Sequence, residues 1–182
     1  MLIVFIVFTF RRRIILQFSI GVEYALHCLL YMVDIPQGKS VGVKDLATFQ
    51  GVSETYLSKV YTKLRKAGIV RAIPGVNGGY ELTRSAEEIT FWDVVEAVEG
   101  SSSIFQCAEI RQNGILLDKN NLSDVYTKCP CTIKVVMMEA EEQMRNHLRT
   151  KTIAWLHDHV FTILPEDQGK ATIEWFNNPK SR

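Results

Sequence analysis

No stretch of the 182-residue sequence is apolar for long enough to cross a bilayer. Met1 to Phe10 is nearly all apolar, but a transmembrane helix takes about 20 such residues. Three arginines follow this run at positions 11–13, whereas a secretory signal carries its positive charge first. We therefore predict that residues 1–15 are a non-structural extension, with Leu16 as an alternative start. The protein is then expected to be cytoplasmic and without a membrane partner; a membrane tether is the competing interpretation.

Cysteine is also scarce, with four residues in the chain. Without an export signal, these cysteines are expected to be reduced thiols or ligands rather than structural disulfides. The sequence has no phosphate-binding glycine loop, no oxyanion motif and no second domain large enough for a substrate. A cysteine and a histidine could act as nucleophile and base, but these absences argue against an enzyme.

The net charge of +1 does not by itself indicate a nucleic-acid partner, but the charges are unevenly distributed. Seven basic and three acidic residues lie between Lys44 and Arg84, a net charge of +4. Five acidic and no basic residues lie between Ser85 and Gly100. The region from Lys44 to Arg84 is therefore suited to phosphates. Chance clustering of charges on a solvated surface is the alternative interpretation.

Hydrophobic periodicity predicts three helices in the first half, at Gln17–Asp34, at Val43–Gln50 and at about 53–67. Gly51 separates the second helix from the third, and Ser53 is placed to cap the third. The third helix has apolar residues at i, i+3, i+4 and i+7, a core-facing stripe of Leu57, Val60, Tyr61 and Leu64.

Two strand-like runs follow, Ile69–Ile73 and Tyr80–Thr83. The Asn77-Gly78 pair between them suits the positive φ values of a hairpin tip. Helix, tight turn, helix and hairpin is the order of a winged helix-turn-helix.

The second half begins with a helix. Thr90 and Asp93 resemble a capping box that opens it, and Gly100 stops it. Its predicted inward stripe is Phe91, Val94, Val95 and Val98. A polar loop then extends to about Pro130.

A long helix is predicted from about Thr132 past Thr150. Apolar residues recur in it at spacings near 3.5, a seam suited to a partner helix, at Ile133, Met137, Ala140, Met144 and Leu148. The tail after Phe161 carries little pattern and is expected to be mobile.

The third helix is suited to reading DNA, because polar residues lie opposite its apolar stripe. The first residues of such a helix approach base edges in the major groove, and lysines further along suit phosphates. The glycine-rich hairpin tip lets backbone amides approach a phosphate or the minor groove. The predicted DNA-binding residues are Ser53, Thr55, Tyr56, Ser58, Lys59, Lys63, Lys66, Asn77 and Gly78. A winged-helix module that binds another protein is the competing interpretation.

The predicted fold class is mainly α with a small β-hairpin wing, a winged helix-turn-helix followed by a long C-terminal dimerisation helix. After the extension at 1–15, the predicted divisions are the DNA-binding domain at 16–100, a cysteine-bearing sensor loop at 101–131, the dimerisation helix region at 132–160 and a C-terminal tail at 161–182.

Five short motifs follow one another along the first half: FSIGVEYALH from Phe18 to His27, Leu46-Ala47, GVSETYL from Gly51 to Leu57, LRKAG from Leu64 to Gly68 and GVNGGY from Gly75 to Tyr80. Over about Gln17 to Leu156 the chain thereby resembles the Rrf2 family of bacterial regulators, the IscR, NsrR and CymR type. The resemblance implies a homodimer built on the long helix that binds palindromic operators in double-stranded DNA, usually as a repressor. Many members carry arginine early in the wing, where this chain has Pro74, so a minor-groove arginine contact is not carried over.

Members of this family often hold an iron–sulfur cluster through cysteines of the loop before the dimer helix, which here are Cys107, Cys129 and Cys131. The 21 residues between Cys107 and Cys129 depart from the compact three-cysteine pattern of the family's cluster binders. Cys129 and Cys131 can present two thiolates to one iron, and Glu23 and His27, spaced i, i+4, can ligate a second. The resemblance places the first helix of one subunit near the loop of the other. It thus predicts a 2Fe-2S cluster bridging the subunits.

Each of these residues also has another interpretation. The loop thiols can be redox switches with no metal, and a role outside redox chemistry stays open too. His27 can be a hydrogen-bonded core histidine, and Glu23 can cap or pair locally. Cys28 can be a buried small hydrophobe, unless it joins the others as a fourth ligand. A stand-alone electron carrier would share the cluster but would not need a basic helix and a wing.

Overall fold

The computed structural model describes residues 17–36, 38–75 and 78–177. Among them, eight α-helices and two strands follow one another in the order α1 Ile20–Leu30, α2 Val43–Gln50, α3 Glu54–Lys66, β1 Val70–Ile73, β2 Gly79–Leu82, α4 Phe91–Glu99, α5 Asp124–Thr127, α6 Thr132–Arg149, α7 Ile153–Ile163 and α8 Glu166–Asn177. Short 3₁₀ turns lie at Ala86–Glu88 and Ile110–Asn113. The predicted residues 1–15 and the hairpin residue Asn77 lie outside the described residues.

Helix α1 is the centre of the fold, packing against α3, α4 and α7. Its Leu29 is fully buried together with Leu46 of α2. The predicted stripe of α3 is confirmed, since Leu57, Val60, Tyr61 and Leu64 are all buried. Helix α1 is shorter than the predicted 17–34, because residues 31–34 form turns.

The two strands pair antiparallel, with Val70 opposite Leu82 and Ile73 opposite Gly79. Val41 forms an isolated antiparallel bridge with β2, because its backbone exchanges two hydrogen bonds with Tyr80 at 2.8 and 2.9 Å. A Cβ at Gly79 would collide with the Val41 carbonyl, so this close approach requires glycine.

Helix α4 opens with the predicted capping box. The Thr90 hydroxyl accepts a hydrogen bond from the Asp93 amide at 3.1 Å, and the Asp93 carboxylate accepts one from the Thr90 amide at 2.8 Å. The predicted stripe is wrong at one position, because Phe91 is only half-buried whereas Trp92 is buried. Trp92 belongs to the buried core, and the guanidinium groups of Arg145 and Arg149 lie over its ring.

Helix α6 leaves the first half of its apolar stripe uncovered within the chain. Ile133 is 66% exposed and Val136 56%, and Met137 and Ala140 are also exposed. The predicted seam is wrong at its far end, because Met144 and Leu148 pack against the chain's own core. The uncovered part is therefore shorter than the sequence spacing predicts.

The prediction of a patternless tail after Phe161 is also wrong. Helix α7 extends to Ile163 and α8 spans Glu166–Asn177. Phe176 of α8 is buried with only 3% of its surface exposed. In the part of the chain that the structure describes, no helix has the length and apolar character needed to span a membrane.

Candidate nucleic-acid interface and cysteine loop

Helix α3 is held by a tight turn and a capped first turn. Gly51 ends α2 at φ 66°, a left-handed conformation that favours glycine. The Ser53 hydroxyl then accepts a hydrogen bond from the Tyr56 amide at 3.4 Å. Ser53 is therefore the N-cap of α3. Its hydroxyl is hydrogen-bonded to the backbone at the start of the helix that the sequence predicts to bind DNA.

Four residues share the face of α3 opposite its buried stripe, because they follow one another at i, i+4, i+7 and i+11. Three are exposed and Thr62 is half-buried. We call this surface the outer face of α3; it consists of Thr55, Lys59, Thr62 and Lys66. Hydroxyl groups near the helix start and ammonium groups further along suit base edges and phosphates, respectively.

Three other predicted DNA-binding residues lie beside the outer face. Tyr56 makes an edge-to-face contact with Tyr24 of α1, with ring centroids 5.6 Å apart. The Lys63 ammonium donates a hydrogen bond to the Val98 carbonyl of α4 at 2.5 Å. Ser58 is half-buried. Tyr56 and Lys63 therefore join α3 to its neighbours.

The wing tip requires glycine at position 78. A Cβ there would collide with the Ile73 carbonyl and lie 2.9 Å from the Gly75 carbonyl oxygen. The Gly78 amide donates to that Gly75 oxygen at 3.0 Å, so it closes the turn. Behind the tip, Arg71 of β1 forms an ion pair with Glu81 of β2 while its side chain stays 66% exposed.

The cysteine loop is organised around Arg111, which the sequence analysis missed. Its guanidinium pairs with Glu109 at 2.9 Å and donates to the carbonyls of Val125 at 3.0 Å and Cys129 at 2.5 Å. The Cys107 thiol lies 3.7 Å from the same Glu109 carboxylate. The only sequence signal was a Glu-x-Arg triplet two residues after Cys107.

Cys131 lies directly before the first residue of α6, as its N-cap. Backbone hydrogen bonds from Lys134 and Ile133, together with nearby Arg111, lower the pKa of this thiol despite partial desolvation. Cys28 is the opposite case, because it is fully buried in α1 and burial raises its pKa to about 12. Cys28 is thus a core residue, as one of the sequence interpretations proposed.

Glu23 and His27 are exposed on α1, so a core role for His27 is excluded. Both line a groove of about 640 Å³ between α1 and α7, whose other walls are largely apolar. Within residues 17–36, 38–75 and 78–177 of this single chain, no three His, Cys, Asp or Glu side chains converge to hold a metal. The chain alone does not bring Glu23 and His27 together with the loop cysteines.

Glu141 connects α6 to the start of the cysteine loop and was also missed. Only 8% of it is exposed, and its carboxylate accepts hydrogen bonds from the Ser103 hydroxyl at 2.9 Å and the Ile104 amide at 3.1 Å. It also pairs with Arg145 of the same helix. Burial alone would raise the pKa of Glu141, but these hydrogen bonds and Arg145 outweigh it and lower the pKa.

A capped helix on a tight turn, followed by an antiparallel hairpin, defines a winged helix-turn-helix, the class of DNA-binding protein predicted from the sequence. The chain belongs to the Rrf2 family, because the family model described as an iron-dependent transcriptional regulator matches residues 18–159. The predicted family and fold class are thereby confirmed, and the protein is a DNA-binding transcriptional regulator of the Rrf2 type.

The relatives agree with this assignment. The regulator NsrR of Halalkalibacterium halodurans is 31% identical over 125 residues, which cover 69% of this chain and 79% of the relative. The global cysteine regulator CymR of Bacillus subtilis has a similar fold, with a TM-score of 0.56 at 22% identity over 80% of this chain and 98% of that chain. IscR of T. potens gives a TM-score of 0.56 at 24% identity, covering 84% of this chain and 90% of that chain.

Proposed function

We propose that the protein is a homodimeric repressor that binds palindromic operators through the outer face of α3, and that it is not an enzyme. The exposure of Thr55, Lys59 and Lys66 opposite a buried stripe carries this proposal. The helix is attached on both sides, by the contact of Tyr56 with α1 and by the hydrogen bond of Lys63 to α4. Its exposed groups are thus presented on a fixed support, as base reading requires. Because its target is chromosomal DNA, we place the protein in the cytoplasm.

The dimer is proposed from the uncovered stripe of α6. Ile133, Val136, Met137 and Ala140 lie on one side of a helix of 18 residues. An exposed apolar stripe of this kind is expected to be covered by a partner. A two-fold symmetric pair would present two outer faces and would therefore match a palindrome.

Operator binding tests the proposal. Operators are first selected from random or genomic DNA with the purified protein. Thr55→Ala and Lys59→Ala should then each reduce the preference for the selected operator over unrelated DNA by about 1–3 kcal/mol. Lys170→Ala is the control, because this lysine pairs with Glu166 on α8. Unchanged operator preference in both α3 variants would overturn the proposed reading face.

We further propose that the loop carrying Cys107, Cys129 and Cys131 is the sensor. The lowered pKa of Cys131 favours the thiolate, which is the form that both binds iron and reacts with oxidants. In the cluster hypothesis, the iron ligands are these cysteines of one subunit together with Glu23 and His27 of a second subunit. Because one chain does not gather these groups, the cluster hypothesis requires the dimer.

An absorption spectrum of anaerobically purified protein, measured with its iron and sulfide content, separates the two forms of sensor. A 2Fe-2S protein should be coloured, and Cys131→Ala should lose iron, sulfide and colour together. His27→Ala should weaken the cluster if the helix contributes a ligand. Colourless, iron-free protein after cluster reconstitution would eliminate the cluster and leave the thiol switch.

A further inference from the structure

Four aromatic rings join the last helix to the first helix of the DNA-binding unit. Phe176 of α8 stacks on Tyr31, directly after α1, with ring centroids 5.3 Å apart and planes 17° from parallel. It also lies 4.8 Å from Phe49 of α2, and Trp175 lies 5.0 Å from the same ring. We call these four residues the aromatic brace: Tyr31, Phe49, Trp175 and Phe176.

The brace belongs to a larger connection that runs from α7 through α8. His157 of α7 is hydrogen-bonded to the Asp34 carboxylate at 2.8 Å and stacks on Phe161 at 4.5 Å. Gly169 of α8 is buried, and a Cβ there would be 3.5 Å from the Phe161 ring, which is ordinary contact. The α7–α8 pair is therefore fixed to the turn after α1 as well as to α2.

Helix α2 has contacts on two sides. Leu46 and Ala47 are buried in the core on the side shared with α1 and α3. Phe49 provides the contact with α8. Helix α6 is followed by α7, whose first residue Ile153 is fully buried in the core. The brace therefore connects the C-terminal helices that follow the proposed dimer helix to the unit α2–α3.

We propose that the aromatic brace determines which half-site spacing the dimer accepts. By holding α2–α3 in one orientation relative to α6, it sets the separation and relative rotation of the two outer faces. The inference rests on the proposed dimeric binding of a palindrome. Tyr31 and Phe49 lie within the family match, which ends at residue 159, whereas Trp175 and Phe176 of α8 lie beyond it.

Operators with altered spacing provide the test. The spacer between the half-sites of the selected operator is shortened or lengthened by one and by two base pairs; each base pair turns one half-site by about a tenth of a turn. Wild-type protein should bind one spacing best. Phe176→Leu and Phe49→Leu, which keep an apolar side chain but remove the ring, should flatten this profile while the affinity for a single half-site is unchanged.

The expected loss of affinity depends on how often the unit α2–α3 adopts the orientation that fits the best spacing. If the loosened unit holds that orientation about a tenth of the time, binding to the best spacing falls about tenfold. Ile163→Ala is the matched control, since Ile163 is an apolar residue at the end of α7 that is 70% exposed and outside the brace. Thermal unfolding and sedimentation establish that each variant is folded and dimeric.

Two outcomes would overturn the inference. One is a wild-type spacing profile in folded, dimeric Phe176→Leu and Phe49→Leu protein. The other is an equal loss of affinity for the half-site and for every spacing, which would make the brace a purely structural contact. If wild-type protein prefers no palindrome at any spacing, the proposed dimeric function fails instead, and the two failures are thereby distinguished.

Discussion

At the scale of single residues, environment separates side chains of the same type. Cys28 and Cys131 are both free thiols, but one is buried in α1 and the other precedes α6. Burial raises the pKa of the first to about 12, whereas backbone amides and Arg111 lower the pKa of the second. Of these two thiols, Cys131 is therefore the one suited to ligation or oxidation.

Glu141 supports a prediction at the same scale. Its pKa in the folded protein lies below the ordinary value of 4.5, so its stabilisation is present above that value and is lost as the pH falls through the folded pKa. Glu141→Gln should lower the free energy of unfolding by about 1–3 kcal/mol near neutral pH. The difference from wild type should shrink in acid below pH 4.5.

Urea unfolding over a series of pH values measures this effect. Glu142→Gln is the matched control, because the neighbouring carboxylate is half-exposed and pairs with Arg149 at the surface. A smaller change is expected for Glu142, since solvent screens exposed ion pairs. Equal and pH-independent losses in both variants would contradict the role given to Glu141.

At the scale of elements, α3 carries different functions on different sides. Its buried stripe attaches it to the core, its outer face is largely exposed, and between them Lys63 is bound to the last turn of α4. Val98 contributes this carbonyl because the C-terminal carbonyls of a helix have no partner within it. A lysine there also suits the negative end of the α4 dipole.

Lys66 and Lys63 should therefore behave differently, although both are lysines near the end of the same helix. Lys66→Ala should weaken binding to all DNA and reduce the slope of log affinity against log salt by about 0.9. Lys63→Ala should leave this slope unchanged and lower the melting temperature, because the contact with α4 is lost. Salt titrations of DNA binding and thermal scans measure the two effects; equal slope changes would place Lys63 on the phosphates.

At the scale of the whole molecule, the halves of α6 have separate partners. Met144 and Leu148 pack on the chain's own core, whereas Ile133 and Met137 are uncovered. The second half of the helix thus fixes α6 to the chain, and the first half is the surface where we propose that a second copy packs. Glu141 lies between the two halves and holds the start of the cysteine loop. A change in the loop would therefore reach the proposed interface directly.

The proposed dimer leads to a prediction of its own. Met137→Glu combined with Ala140→Glu should be monomeric at micromolar concentration and bind operator DNA weakly, because two carboxylates would be desolvated in an apolar interface. Asn146→Glu is the control, since it adds charge to an exposed part of the same helix away from the stripe. Sedimentation distinguishes the variants, and a wild-type monomer at that concentration would contradict the dimer.

Features that depend on a few neighbouring residues were predictable from the sequence. The Thr90–Asp93 capping box, the Ser53 cap and the stripe of α3 are all present as expected, because each is encoded within one or two helical turns. The family and the winged helix-turn-helix followed from the order of such local motifs.

Only the tertiary structure shows which distant residues contact the polar and aromatic side chains discussed above. The sequence predicts that Lys63 contacts phosphates, and in the single chain its ammonium donates to a carbonyl 35 positions away. Trp175 and Phe176 occur in a segment without clear periodicity, and their partners Tyr31 and Phe49 are distant in the chain. Glu141 likewise meets Ser103 at a separation of 38 residues. Local propensity contains no information on such contacts, because they form only when packing brings separate elements together.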